Sequence, residues 1–121
     1  MLRAQVELAA GAPAKARVLL QAAAEPALTS RDGPVLGMVA EVAAQLAHAE
    51  GDDDAAVELL AAAVVRRGTL DRGSPEIVAL LAALGPHAED RVVVAASRAG
   101  VATISAFLLA DPPIGEEAGG H

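Results

Sequence analysis

The chain has 121 residues, enough for one domain with a modest core, and carries 16 acidic against 9 basic residues for a net charge of −7. That acidity (pI near 4.8), with basic residues scattered except at Arg66-Arg67, excludes direct nucleic-acid binding by this segment. There is no cysteine, which excludes disulfides and thiolate chemistry, and Phe107 is the one aromatic residue.

Alanine makes up about a quarter of the chain, favouring helices that approach one another closely. The mean hydropathy of +0.42 raises the question of a membrane. The most apolar run, Ala55 to Val65, is interrupted by Glu58 and closed by Arg66-Arg67, and falls short of the roughly 20 residues a span needs. Residues 1–7 lack the apolar core of a signal peptide. A soluble, cytoplasmic chain with no membrane partner is expected.

The first helix covers residues 2–10 and ends in the turn Gly11-Ala12-Pro13. Pro13 suits the first helical position, where its missing N–H costs nothing, and opens a second helix through Ala24. Pro26 is expected to end or kink that helix. Arg31-Asp32-Gly33-Pro34 is a break, and Pro34 opens a third helix to Ala49 with Val35, Val39, Val42 and Leu46 at helical spacing. Gly51 reads as a left-handed cap, and Asp52 caps a fourth helix from Asp53 to Arg67, with acids at its start and arginines at its end. After the loop from Gly68 to Gly73, Ser74-Pro75-Glu76 opens a helix to Leu84. Gly85-Pro86 is a corner, a sixth helix runs to Ala99, and Thr103 is read as the cap of a last helix to Ala110. Residues 112–121 have nothing to bury and are expected to be a disordered tail.

One stretch is written twice. Leu8-Ala9-Ala10-Gly11, then Ala16, Leu19, Leu20, Ala22 and Ala23, recurs 40 residues later as His48-Ala49-Glu50-Gly51, then Ala56, Leu59, Leu60, Ala62 and Ala63. A fixed period of this length marks stacked supersecondary units, each covering its neighbour's apolar face.

Gly51-Asp52 with Ala56, Leu60 and Ala63 resembles the centre of a tetratricopeptide repeat, and Gly11, Ala16, Leu20 and Ala23 resemble a second copy. Pro13 and Asp53 stand where that repeat usually has an aromatic, so both copies are degenerate. Arg67-Gly68, Ser74-Pro75-Glu76 and Ala83-Leu84-Gly85, followed by a closing helix pair, resemble the C-terminus of large bacterial transcriptional regulators of the antibiotic-pathway and LuxR-type ATP-binding groups. In such regulators the nucleotide- and DNA-binding parts lie upstream. The resemblance implies an all-α fold: an antiparallel helix-hairpin array (tetratricopeptide-like superhelix) with a C-terminal helical cap. Residues 1–67 would form two repeats and residues 68–111 the cap. The implied function is a non-catalytic regulatory domain whose partner is a protein, either its own upstream domains, a second copy or another protein. A freestanding adaptor binding a peptide and a small-molecule sensor are the alternatives.

The residues offer little catalytic chemistry. His48, Glu50 and Asp52-Asp53-Asp54 are the densest set of metal-ligand types, but they lack the ligand order of a calcium loop, and helix capping explains the acids. Ser30, Ser74, Ser97 and Ser105 lack the flanking glycines of a nucleophile elbow, and Glu89-Asp90 suits a helix start. No catalytic residue, metal site or cofactor is expected. The repeat register instead buries Ala40, Ala43, Ala44 and Ala47 of the third helix and points Met38, Glu41, Gln45 and His48 toward a partner. The short first helix leaves the apolar side of the second, around Val18 and Leu19, without a neighbour. Self-association there, most simply as a twofold homodimer, is the corresponding expectation.

Overall fold

The computed structural model describes residues 2–30, 33–69 and 73–109. Met1, Arg31, Asp32, residues 70–72 and residues 110–121, and with them the expected disordered tail, lie outside the described residues. Seven helices and no strand form among the described residues: α1 Leu2–Ala9, α2 Pro13–Ser30, α3 Gly33–Ala49, α4 Asp53–Arg67, α5 Pro75–Leu84, α6 Ala88–Ala96 and α7 Val101–Leu109. The protein is all-α.

The 40-residue period is reproduced in backbone hydrogen bonds. At the end of α1, Ala12 N donates to Glu7 O at 2.8 Å and Gly11 N to Leu8 O at 3.1 Å. At the end of α3, Asp52 N donates to Ala47 O at 2.8 Å and Gly51 N to His48 O at 3.0 Å. Both are Schellman turns, which satisfy the last carbonyls of a helix by placing one residue in left-handed space. Gly11 (φ 79°) and Gly51 (φ 83°) supply it, because an L side chain there would be strained. Asp52 then has a second task, its side chain accepting from Ala55 N at 3.1 Å to start α4. Ser74 caps α5 in the same way through Ile77 N, with Pro75 at the first position.

Three boundaries differ from the sequence expectations by more than one residue. α2 does not stop before Pro26 but continues to Ser30. Proline removes one hydrogen bond, to the carbonyl of Ala22, and Ala22 and Pro26 are exposed, so that carbonyl can be hydrated. The extra turn buries Ala27 and half-buries Leu28, which offsets the loss. α6 ends at Ala96, with Arg98 N and Ala99 N both donating to Ala95 O in a tightened turn. Thr103 lies inside the first turn of α7, and its Oγ1 accepts from Gly100 N at 3.1 Å. It is therefore the reaching-back half of a capping box, and the cap position is Gly100.

α3 and α4 share the largest helix interface, and α2 packs on α3. α1 lies against α2 and α3, α5 against α3, and α6 against α4, while α7 lies across α2, α3 and α4. Ala40, Ala43, Ala44 and Ala47 are fully buried, as are Ala56, Leu59, Leu60 and Ala63. Small side chains let α3 and α4 approach, and Leu36, Leu46 and Leu60 fill the space between their neighbours. Ile104 and Leu108 bring α7 into the same core.

Candidate functional site

Helices α1, α3 and α5 bound an open groove with a volume of about 250 Å³. Gln5 stands on one side, Met38, Glu41 and Gln45 along the floor, and Arg67 and Ser74 on the other side. Three of the four residues expected to face a partner thus meet in one place, with different roles. Met38 is exposed and Gln45 half-buried. Glu41 is turned inward instead of projecting: it is 8% exposed, and Arg67 Nη1 donates to its Oε1 at 3.0 Å. His48 is not part of the groove, because its ring Nδ1 lies 2.8 Å from Asp53 Oδ1 across the Gly51 turn. Two residues of the expected face therefore hold the fold's own charges.

Arg67 reaches Glu41 because Gly37, one turn before it, has no side chain. A Cβ at Gly37 would lie 2.5 Å from Arg67 Cγ and 2.7 Å from Cδ. A Gly→Ala change inside a helix ordinarily stabilises by about 1 kcal/mol. Gly37→Ala is expected to show no such gain, because the Arg67 stem must shift and release Glu41 from its partner in a poorly hydrated position. Urea denaturation tests this, and a stabilisation near 1 kcal/mol would show that the close approach is inconsequential.

The acidic cluster after α3 is divided among separate partners. Glu50 pairs with Arg17, Asp52 caps α4, Asp53 pairs with His48, and Asp54 Oδ1 accepts from Arg91 Nη2 at 2.9 Å. Among the described residues, no group of three or more His, Asp or Glu side chains converges to hold a metal ion. Ser74 is occupied in capping, and Ser97 Oγ donates to Val94 O at 3.0 Å. No single helix among the described residues is long and apolar enough to cross a membrane.

The most elaborate polar assembly escaped the sequence analysis. Arg17 of α2 is 4% exposed and grips Glu50 with two bonds, Nε to Oε2 at 3.1 Å and Nη2 to Oε1 at 2.8 Å. Its Nη1 donates to Phe107 O at 2.7 Å, and its guanidinium carbon lies 4.4 Å from the centroid of the Phe107 ring. Gln21, one turn on, donates to Leu108 O. The pair secures the carbonyl end of α7, where a helix lacks internal donors and favours positive charge. The repeat itself carried a signal for it. Forty residues after Arg17 and Gln21 stand Val57 and Ala61, both buried, so charged and amide side chains occupy slots that are apolar in the second copy.

Compared with protein families, curated proteins and solved structures, the chain matches none of them.

Proposed function

We propose that this chain is a non-catalytic regulatory domain that binds protein, forming the C-terminal part of a cytoplasmic bacterial transcriptional regulator. In this proposal α1 with α2, and α3 with α4, are two degenerate tetratricopeptide-like repeats, and α5 to α7 are their cap. The observation that carries it is the same Schellman turn, bond for bond, at Gly11 and Gly51. It is supported by the groove between α1, α3 and α5, the leading helices in that register, since those helices face ligands in tetratricopeptide arrays. Glu41 and Arg67 neutralise each other there, leaving Met38, Gln5 and Gln45 to meet a partner. An extended peptide suits that lining, its amides answering the glutamines and an apolar side chain meeting Met38.

The genomic reading frame tests the proposal. Continuous in-frame coding sequence for an ATP-binding or DNA-binding domain upstream of Met1 is expected. A stop codon directly preceding the start, with no such domain attached, would overturn the regulator reading.

A further inference from the structure

The two copies of the repeated unit differ in what covers them. On α4, the outer face carries α6: Asp54 pairs with Arg91, and Glu58 Oε2 accepts from Arg98 Nη2 at 2.7 Å. The equivalent face of α2 has Ala14 and Val18, and Val18 is 64% exposed. Leu59 and Ala62 are fully buried, whereas Leu19 is only half-buried and Ala22 is exposed. Sequence position therefore assigns a helix-packing face to α2, and no helix among the described residues covers Val18 and Ala22 there.

The exposed stripe on that face reads Lys15, Val18, Ala22, Glu25, with steps of three, four and three residues. This is the spacing with which one helix seats against another. The stripe is also self-complementary. Two α2 helices laid antiparallel about a twofold axis beside residue 20 bring Val18 of each against Ala22 of the other. The same axis brings Lys15 of each against Glu25 of the other. Small and apolar groups meet at the centre, and opposite charges meet at both ends. Neither Lys15 nor Glu25 has an ion-pair partner among the described residues that would compete. Open grooves adjoin Val18 on either side, one toward Leu28 and Leu109 and the other toward Arg3 and Glu7. Leu109 is 80% exposed and widens the apolar surface beside the stripe.

We infer that the occupant of this face is a second copy of the chain, joined by antiparallel packing of α2 on α2 through Val18 and Ala22 and fixed in register by Lys15 and Glu25. A twofold interface makes each contact twice, so each charge substitution acts twice. This inference goes beyond the regulator proposal and does not depend on it.

Sedimentation velocity on the whole chain over a concentration series tests it, with variants at the two charged positions. The native chain is expected to dimerise as concentration rises into the micromolar range. Lys15→Glu or Glu25→Lys alone sets like charges against each other at both ends and is expected to weaken association by about tenfold or more. The double variant, Lys15→Glu with Glu25→Lys, restores opposite charges and is expected to recover the native association within about threefold. Both sites of change are exposed surface, and circular dichroism checks that the helices persist in all three variants. A native chain that stays monomeric overturns the inference and leaves the reading-frame test untouched. A dimer indifferent to the single reversals, or one the double variant fails to restore, overturns the register and with it the proposed face.

Discussion

Replacing Leu60 with aspartate is expected to abolish the folded state. Leu60 is fully buried on α4, the helix that packs on α3, α6 and α7, and belongs to the hydrophobic core. An ionised carboxylate there loses its hydration and finds no partner, a cost that exceeds the roughly 5–15 kcal/mol by which a domain is stable. Taking up a proton reduces that cost but still leaves a polar group without hydrogen bonds in the place of a packed isobutyl group. Leu60→Ala is the graded companion. It removes the side chain without adding charge and is expected to destabilise by about 2–5 kcal/mol, according to how far the small neighbours can close in. Ala56 and Ala63 on the same helix have no length to extend into the void, which places the loss toward the upper end. Circular dichroism of the aspartate variant should show a largely unfolded chain. A soluble variant with the full helical signal would mean that Leu60 is not between the helices.

Helix ends were legible where they are fixed by one or two residues. Asp52 with Asp53, Ser74 with Pro75, and Gly51 determine their turns through local hydrogen bonds, and α3 ends and α4 and α5 begin where those residues predict. Boundaries decided by tertiary packing were not legible. Whether α2 survives Pro26 depends on what Ala27 and Leu28 bury, and no local signal contains that. The same division holds for the groove. The repeat register buries Ala40, Ala43, Ala44 and Ala47, as the structure does, and Met38, Glu41 and Gln45 line one groove. It cannot show that Glu41 is drawn inward, because the cause, Arg67 passing over Gly37, joins residues from two helices. Arg17 is the largest omission. A lone arginine between alanine and valine resembles a solvated helix residue, and only the comparison with Val57 exposes it as a charge in an apolar slot.

Arg17→Ala is accordingly expected to cost about 3–5 kcal/mol, the range for breaking one side of a buried ion pair. The Glu50 side chain is 5% exposed, so water cannot take the place of the two lost bonds. The loss also spreads beyond the pair. Phe107 O gives up its charged donor, the Phe107 ring loses the guanidinium stacked 4.4 Å above it, and among the described residues Gln21 is the side-chain donor left at the carbonyl end of α7. Because Arg17 alone ties the Glu50 turn, α2 and the end of α7 together, the damage should be unevenly distributed. Amide exchange in α7 is expected to accelerate toward the rate of a fraying terminus, well before exchange in α3 and α4 responds. A second substitution separates the ion pair from the rest. Arg17→Met with Glu50→Leu removes both charges and keeps apolar volume, so it is expected to recover at least about 2 kcal/mol of the single-variant loss. The recovery should be incomplete, since methionine cannot donate to Phe107 O, and rapid exchange at α7 should persist in the double variant. Chemical denaturation of the native chain and both variants supplies the energies. A single-variant loss below about 1 kcal/mol would group Arg17–Glu50 with exposed pairs of little consequence, and it would mean that α7 is held chiefly by its apolar contacts, Ile104 and Leu108 among them.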